Sequence, residues 1–436
     1  MRDMVMLVAM LGMVPMAFMN GFVAFLFWGY TTVLTPVHYL YGFMVGVRFN
    51  FIFAAIGLGL LFLGKTGQKE EKPKLTFTYW LIVAFFLHAS LSTAFALRPN
   101  PMLAIRYEDL VKGFAFILAI PFFVKDRVGI HALLAMLALG LGLHGVVEGL
   151  KFIVSGGAHR VNGIGRSSLT DNNLFAVGMI LVLPIMLYFF NTLSNQKAKL
   201  AALMGAFLTI LTIIATNSRG GFLALAVLGG WYFIGSRRKG VALVALLAAV
   251  TMVFMLAPDS WFTRISSIET ATEDMSFMNR VAAWKVNAAL GWANPVFGGG
   301  FSGAQIGWIW ETYKNMPSFI SLDMTPYSRL VAHSIYFQVL GDLGFVGLFL
   351  FLALLSSAYF NRKAIIYKIK KNKRSDLVWA RDMADAMFLA LLGYMVGGAG
   401  VSLAYYEVVY ILICLMGVLN TVVDAQIAKP QSDKLA

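Results

Sequence analysis

The chain has one cysteine in 436 residues. Cys414 lies inside an apolar run, so it forms no internal disulfide and carries no information on redox compartment. Charge is also scarce. Asp, Glu, Lys and Arg make up 13% of the residues, too few for an ordinary water-exposed surface. Acidic residues are the scarcer sign, 21 against 35 basic ones. There is no Asp-x-Asp pair and no His/Cys/Asp cluster at metal-ligand spacing. A Mg²⁺ site for a diphosphate normally needs clustered carboxylates, so no metal and no cofactor is expected. No phosphate-binding P-loop and no nucleotide-binding βαβ unit is expected, so no ATP-driven step is expected to be encoded. No connector expected in the cytoplasm is large enough to hold a nucleotide-sugar. No repeat of fixed period, no low-complexity tract and no series of alternating ten-residue strands is seen, and the last of these excludes a membrane β-barrel. The N-terminus lacks a signal-peptide cleavage pattern, so its first apolar run is expected to stay as an anchor.

Apolar residues make up 59% of the chain and the mean hydropathy is +0.75. Apolar runs of about 17–25 residues recur from end to end, each long enough to cross a bilayer. Backbone groups in lipid must be satisfied within the segment, so these runs are helices. The expected fold is all-α: a polytopic integral membrane protein with about twelve transmembrane helices and a large periplasmic loop carrying short helices. Spans are expected at about 45–63, 76–97, 108–124, 128–152, 173–193, 200–217, 220–235, 241–256, 333–360, 383–402 and 405–424. Residues 4–35 are broken by Pro15 and by Asn20-Gly21. Read as one broken span they give twelve helices and a cytoplasmic N-terminus, which is the expectation adopted. Read as a hairpin of two short helices they give thirteen and an outside N-terminus.

The net charge of +14 does not point to nucleic acid, because the basic residues collect in alternate connectors. Lys65–Lys74, Lys125/Arg127, Lys197/Lys199, Arg237/Arg238/Lys239 and Arg362–Arg374 mark one side, which the positive-inside rule makes cytoplasmic. Within the last of these, Lys368–Arg374 reads as an anchor to anionic lipid of the phospholipid bilayer. The other side receives 98–107, 153–172, the Ser218-Arg219-Gly220 corner, 257–332 and a turn near Ser402. The chain thus divides into helices over 1–256, a periplasmic loop over 257–332, and helices with a cytoplasmic tail over 333–436.

Three residues on the outer side carry candidate chemistry. Arg219 lies in Ser218-Arg219-Gly220-Gly221, where a helix begins with almost no loop before it. Free amides and the helix dipole favour an anion there, and an arginine beside them makes a phosphate site. The bland alternative is an arginine that snorkels at the interface. Arg280 and Trp284, four apart, share one face of a helix. That face suits a ligand with phosphate and ring surfaces, or an ordinary interfacial helix. The loop is not basic as a whole: Asp259, Glu269, Glu273, Asp274, Glu311 and Asp323 offset its cations. His333 opens a late span with Tyr336, Phe337, Leu340, Gly344 and Gly347 on or near its face. It is a candidate general base, against the alternative of a histidine bonded for packing. His38, His88, His131, His144 and His159 have weaker contexts. The loop aromatics Trp261, Trp284, Trp292, Trp308, Trp310, Tyr313 and Tyr327 suit saccharide faces, or form an interfacial belt. A phosphorylated lipid without a metal must have its charge met by guanidinium groups, which bind phosphate in bidentate fashion.

Four motifs follow in order: Ser-Arg-Gly-Gly at 218–221, Asn-Arg-x3-Trp at 279–284, Pro295-Val-Phe-Gly298-x-Gly300, and His333-Ser-x-Tyr-x4-Gly-x-Leu-Gly-x2-Gly347. Together, within a many-span chain, they resemble the O-antigen ligase and polymerase superfamily over roughly 160–360. The opening Met-Arg-Asp and Thr170-Asp-Asn-Asn173 are similar to the subgroup of exosortase-associated O-glycosylation ligases. The resemblance implies a glycosyltransferase that takes a glycan from undecaprenyl diphosphate at the periplasmic face of the bacterial inner membrane. It implies an inverting, metal-independent transfer to an acceptor hydroxyl, with lipid A-core the foremost acceptor. His333 would be the base, and Arg219 and Arg280 would hold the diphosphate. Arg160 and Arg166 are carried as further substrate-binding candidates, together with Trp284 and Tyr336. Asp342 stands where many relatives have glutamate. A polymerase of the same superfamily and a ligase that glycosylates protein share donor and base, and differ only in the acceptor. A transporter of the lipid-linked glycan would call for inverted repeats and broken midplane helices, and the one-sided loop favours an enzyme. A purely structural or partner-binding membrane protein is the remaining alternative.

Overall fold

The computed structural model describes residues 1–67, 73–235, 239–240, 275–317, 320 and 322–429. These residues form fourteen α-helices: α1 (Arg2–Met19), α2 (Gly21–Leu34), α3 (Phe49–Phe62), α4 (Phe77–Ala94), α5 (Pro101–Phe123), α6 (Arg127–Val154), α7 (Asn172–Thr192), α8 (Gln196–Ala215), α9 (Arg219–Gly235), α10 (Met275–Ala293), α11 (Gly307–Tyr313), α12 (Ile335–Lys371), α13 (Val378–Gly398) and α14 (Glu407–Ile427). Seven of them, α1, α4, α6, α7, α8, α12 and α14, are long and apolar enough to cross a membrane, and α2, α3 and α9 are shorter apolar helices. The chain is a multi-pass, all-α membrane protein. The span expected at 241–256, the loop over 257–274, Arg237/Arg238 and the last residues of the tail lie outside the described residues.

Helix starts follow local chemistry. Asn20, Thr76, Asn100, Asp126, Asp171 and Asn195 each precede a helix and accept a hydrogen bond from its first turn, which satisfies amides that a helix leaves unpaired. The cap at Asn20 decides the N-terminal question. Pro15 is accommodated inside α1, and the chain breaks at Asn20. The Asp3 carboxylate accepts from the N–H groups of Gly42 and Met44 at 3.1 and 2.9 Å, while Gly21 packs on the Lys65 carbonyl. The start of α1 therefore sits with the exit of α2, and α1 and α2 are an antiparallel hairpin. The single broken span is corrected: the extended backbone of Asn20, capped by its own side chain, lets the chain reverse. The expected absence of a phosphate-binding loop is corrected at the level of the sequence: Gly59-Leu-Leu-Phe-Leu-Gly-Lys-Thr66 spells its pattern, but that pattern begins in the last turn of apolar α3, with no strand before it among the described residues.

From α4 to α9, and again from α12 to α14, consecutive helices alternate in direction. Among the described residues, Arg127, Arg362, Lys368 and Arg374 gather at one end of the bundle. The opposite end holds residues 95–100, 155–171, 216–218, 293–334 and 399–406. Helices α7 and α14 are the most enclosed: α7 packs among α6, α8, α9 and α13, and α14 among α4, α5, α12 and α13. Lipid offers no hydrophobic gain for pairing such helices, so close approach and interhelical hydrogen bonds hold them. Gly149 packs directly on the Leu208 backbone, and Thr212 Oγ1 donates to the Gly145 carbonyl at 2.6 Å.

Helix α12 is broken near its start. Gly344 has φ 70, a conformation that glycine adopts at no steric cost. Backbone groups released there find partners outside the helix. Phe345 N–H donates to the Pro295 carbonyl at 2.8 Å, and His88 Nε2 donates to the Leu343 carbonyl at 2.9 Å. The Gly298–Gly300 turn fits into this break, with Gly299 N–H donating to Gly341 O at 2.8 Å and Gly300 N–H to Asp342 O at 2.9 Å. Beside it, α10, α11 and the segment to Leu330 enclose a small core of their own around Val286, Leu290, Ile309, Trp310 and Tyr327.

Candidate functional site

The turn from α13 to α14 is the point to which three sequence motifs converge. Its backbone is pinned to the first turns of α12: Gln338 Oε1 accepts from Ala404 N–H at 3.0 Å, and Tyr405 Oη donates to Asp342 at 3.1 Å. Around the arc Gly397–Ser402 stand three walls. From α9, the first turn with Arg219 lies against α13, and a methyl on Gly220 would come 3.4 Å from the Gly397 carbonyl oxygen. From α10, Arg280 Nη1 lies 3.5 Å from the place a Cβ on Gly400 would occupy. From the start of α12, the His333 N–H donates to Ser402 Oγ at 2.8 Å.

Each wall is shaped locally. Ser218 caps α9, its Oγ accepting from Gly221 N–H at 3.2 Å, so Arg219 is the first helical residue and is exposed. Arg280 and Trp284 do share a face of α10, and both are partly buried. Helix α10 lies on α12, where Gly341 and Gly291 leave room for Asn287 and Leu340 respectively. His333 has φ 45, a left-handed conformation uncommon outside glycine; the Ser402 bond holds the residue there, just before the α12 cap.

The electrostatics of His333 follow from its neighbours. Burial, and then the Arg280 guanidinium, push the imidazole below the ordinary histidine value, while Asp171 opposes them. The ring is therefore neutral at pH 7 and able to accept a proton. Asp171 caps α7 with one carboxylate oxygen, which accepts from Asn173 and Leu174 N–H at 2.8 and 3.0 Å. Its neighbour Asn172 donates from Nδ2 to the Thr216 carbonyl at 2.8 Å. The Thr170–Asn173 motif thus ties α7 to the corner bearing Arg219 and sets a negative charge near His333.

The other sequence candidates have distinct places. Arg160 and Arg166 are exposed on the connector between α6 and α7. Val161 N–H donates to the Ala215 carbonyl at 3.1 Å, so Arg160 stands beside the end of α8, near the Arg219 corner. Arg166 lies in a turn closed by Ile164 N–H on Leu169 O, and that turn faces His38. The Trp284 ring stacks on Phe337 at 5.4 Å between centroids. Tyr336 Oη donates to the Met395 carbonyl at 3.0 Å, which binds α12 to α13. Among the loop aromatics, Trp310 is fully buried and its Nε1 donates to Tyr327 O at 3.1 Å; it is core, not a sugar platform. Trp261 lies outside the described residues. Asp342 is buried and accepts from Ser302 N–H at 2.9 Å and from Tyr405, so it shapes the loop over the break in α12.

Sequence reasoning passed over Gly397 and Gly400, named Ser402 only as a turn, and quoted Asp171 only within the Thr170–Asn173 motif. The run Gly397-Gly398-Ala399-Gly400 was a usable signal, since small residues mark close approach in membranes. Asp171 was readable as a helix cap but not as a neighbour of a histidine 162 positions later.

Comparison with known families gives two matches. Residues 204–352 match the O-antigen ligase family, and residues 1–194 match a family of unknown function. No curated protein matches the chain. Arg219, Arg280 and His333 all fall in the first match, while Asp171 falls in the second and the Gly397–Ser402 arc in neither.

Proposed function

Taking residues 204–352 as an O-antigen ligase domain, of the class that handles lipid-linked glycans, we propose that this chain is a glycosyltransferase at the periplasmic face of the bacterial inner membrane. It moves a glycan from undecaprenyl diphosphate to an acceptor hydroxyl, that of lipid A-core. The observation that carries this reading is the meeting of the Arg219 helix start, the Arg280 guanidinium and His333 around one arc. The periplasmic side is supported by the basic connectors at the other end of the bundle.

The chemistry follows from these groups. The neutral His333 imidazole takes the proton of the acceptor hydroxyl. The oxygen attacks the anomeric carbon from the side opposite the diphosphate. The anomeric C–O bond breaks, and its electron pair leaves with undecaprenyl diphosphate. Arg219 and Arg280 meet that charge with guanidinium groups, which bind phosphate oxygens in bidentate fashion and stabilise the charge as it develops. A single displacement inverts the anomeric configuration. The step consumes no nucleotide and routes no charge through a metal.

The test is transfer by purified protein, with lipid-linked donor, a chelator and no ATP, offered lipid A-core, a serine-bearing polypeptide or a second donor molecule. Glycosylated lipid A-core with release of undecaprenyl diphosphate is the expected product. Extension of the glycan on its own carrier would make the chain a polymerase, and a modified serine a protein ligase. Donor left intact with all three acceptors would sink the transferase reading.

A further inference from the structure

Among the described residues, two buried side-chain polar atoms have no hydrogen-bond partner: Asn217 Oδ1 and Trp284 Nε1. Buried polar groups are nearly always paired, so each such exception calls for a cause. These two belong to the elements that form the site, one beside Arg219 and the other a turn beyond Arg280 on α10.

Asn217 is 9% exposed and has φ 53. It ends α8 in the left-handed conformation, where glycine fits without cost and asparagine is the next choice. Backbone geometry therefore accounts for a residue of this kind. It does not account for a carboxamide whose oxygen is sealed from solvent and unpaired. The neighbours are all used within the fold: Thr216 Oγ1 donates to Ile213 O at 2.6 Å, the Thr216 carbonyl takes Asn172 Nδ2, and Ser218 Oγ takes Gly221 N–H.

We propose that Asn217 is a substrate-recognition residue whose carboxamide oxygen accepts a hydrogen bond from the sugar joined to the diphosphate. The inference rests on the proposed transferase reading and names a further contact of that site. An amide oxygen needs a donor. An ionised diphosphate and a polyprenyl chain offer none, whereas a sugar offers O–H or acetamido N–H groups. Asn217 is two residues from Arg219, so the sugar next to the diphosphate is the part of the donor within its reach.

The test is Asn217→Gly, which keeps the left-handed backbone and removes the amide, with Asn217→Asp as the variant of equal size. Asn217→Gly is expected to melt with the wild type and to lower kcat/KM for transfer by about 10- to 100-fold, the range for an unpaired buried partner. Donors lacking one hydroxyl or the acetamido group of the first sugar then locate the contact. One analogue should lose a similar factor in the wild type and nothing more in Asn217→Gly, because the two changes remove the same bond. Wild-type kcat/KM in Asn217→Gly, or equal losses in both proteins with every donor analogue, would overturn the assignment. Non-additivity seen only with altered acceptors would overturn the choice of the donor sugar. A wild-type protein that transfers nothing removes the transferase reading itself, and Asn217's role with it.

Discussion

Replacing Gly298 by alanine tests how the break in α12 holds the site. Gly298 has φ 64, and a Cβ there would lie 2.6 Å from Asp342 C, Leu343 N and Gly344 N. These are backbone atoms of the broken turn and cannot swing aside. A left-handed alanine costs about 1–2 kcal/mol. Forcing backbone apart in a packed interior adds about 1–3 kcal/mol. The bonds from Gly299 and Gly300 to Gly341 and Asp342 are at risk for about 1 kcal/mol each. Since these effects overlap, the expected loss is about 3–5 kcal/mol, a large part of a domain's net stability. Gly303 is the control. It lies on the same loop without positive φ, and its Cβ would meet only Leu290 Cδ2 at 3.7 Å and Ile309 Cδ1 at 3.9 Å, so Gly303→Ala is expected within about 0.5 kcal/mol of wild type. Thermal melts of the purified proteins in detergent, beside transfer assays, make the comparison. Gly298→Ala should melt several degrees lower and lose transfer, because the start of α12 carries His333. Equal melting temperatures for the two variants would refute the claim that backbone clearance sets the cost.

Three further outcomes are expected. His333→Ala loses about 10²- to 10⁴-fold in kcat while inserting and melting as wild type; undiminished transfer would remove the base. Arg219→Ala and Arg280→Ala each weaken binding of the undecaprenyl-diphosphate donor, measured by titration, and unchanged affinity in both would refute the clamp. In the pH profile of kcat/KM, the base must be neutral, and His333 is held below the ordinary histidine value by burial and Arg280. Activity should therefore persist below that value and fall only at more acid pH; Arg280→Gln should move the acid limb upward, and a limb that stays in place would separate His333 from Arg280.

Much of the site was legible because charge is rare in this chain. Arg219, Arg280 and His333 stood out as polar groups next to long apolar runs, where a bilayer makes them costly without use. The glycines at 298, 300, 341 and 344 entered the sequence reading as members of the quoted motifs; in the fold each meets backbone or a side chain at close range. Tyr336 and Trp284 read as ligand aromatics; in the fold Tyr336 Oη donates to Met395 O and the Trp284 ring stacks on Phe337, contacts between helices that no local pattern announces. The α1–α2 hairpin was carried only as the alternative: Pro15 and Asn20-Gly21 both marked a break, and only the fold shows that Asn20, a polar cap, makes it.

Composition and the alternation of basic connectors were enough to establish a multi-pass helical protein and the end of the bundle where its unusual residues gather. That much follows because lipid admits few ways to satisfy a backbone, and charge decides which connectors stay inside. Tertiary structure alone decided that α13's glycine-rich end would be the meeting place for groups drawn from α9, α10 and α12, and that Asp171 would lie near His333. Partners so distant along the chain share no periodicity. Only the packing of helices, set by where small residues let backbones touch, brings them to one place.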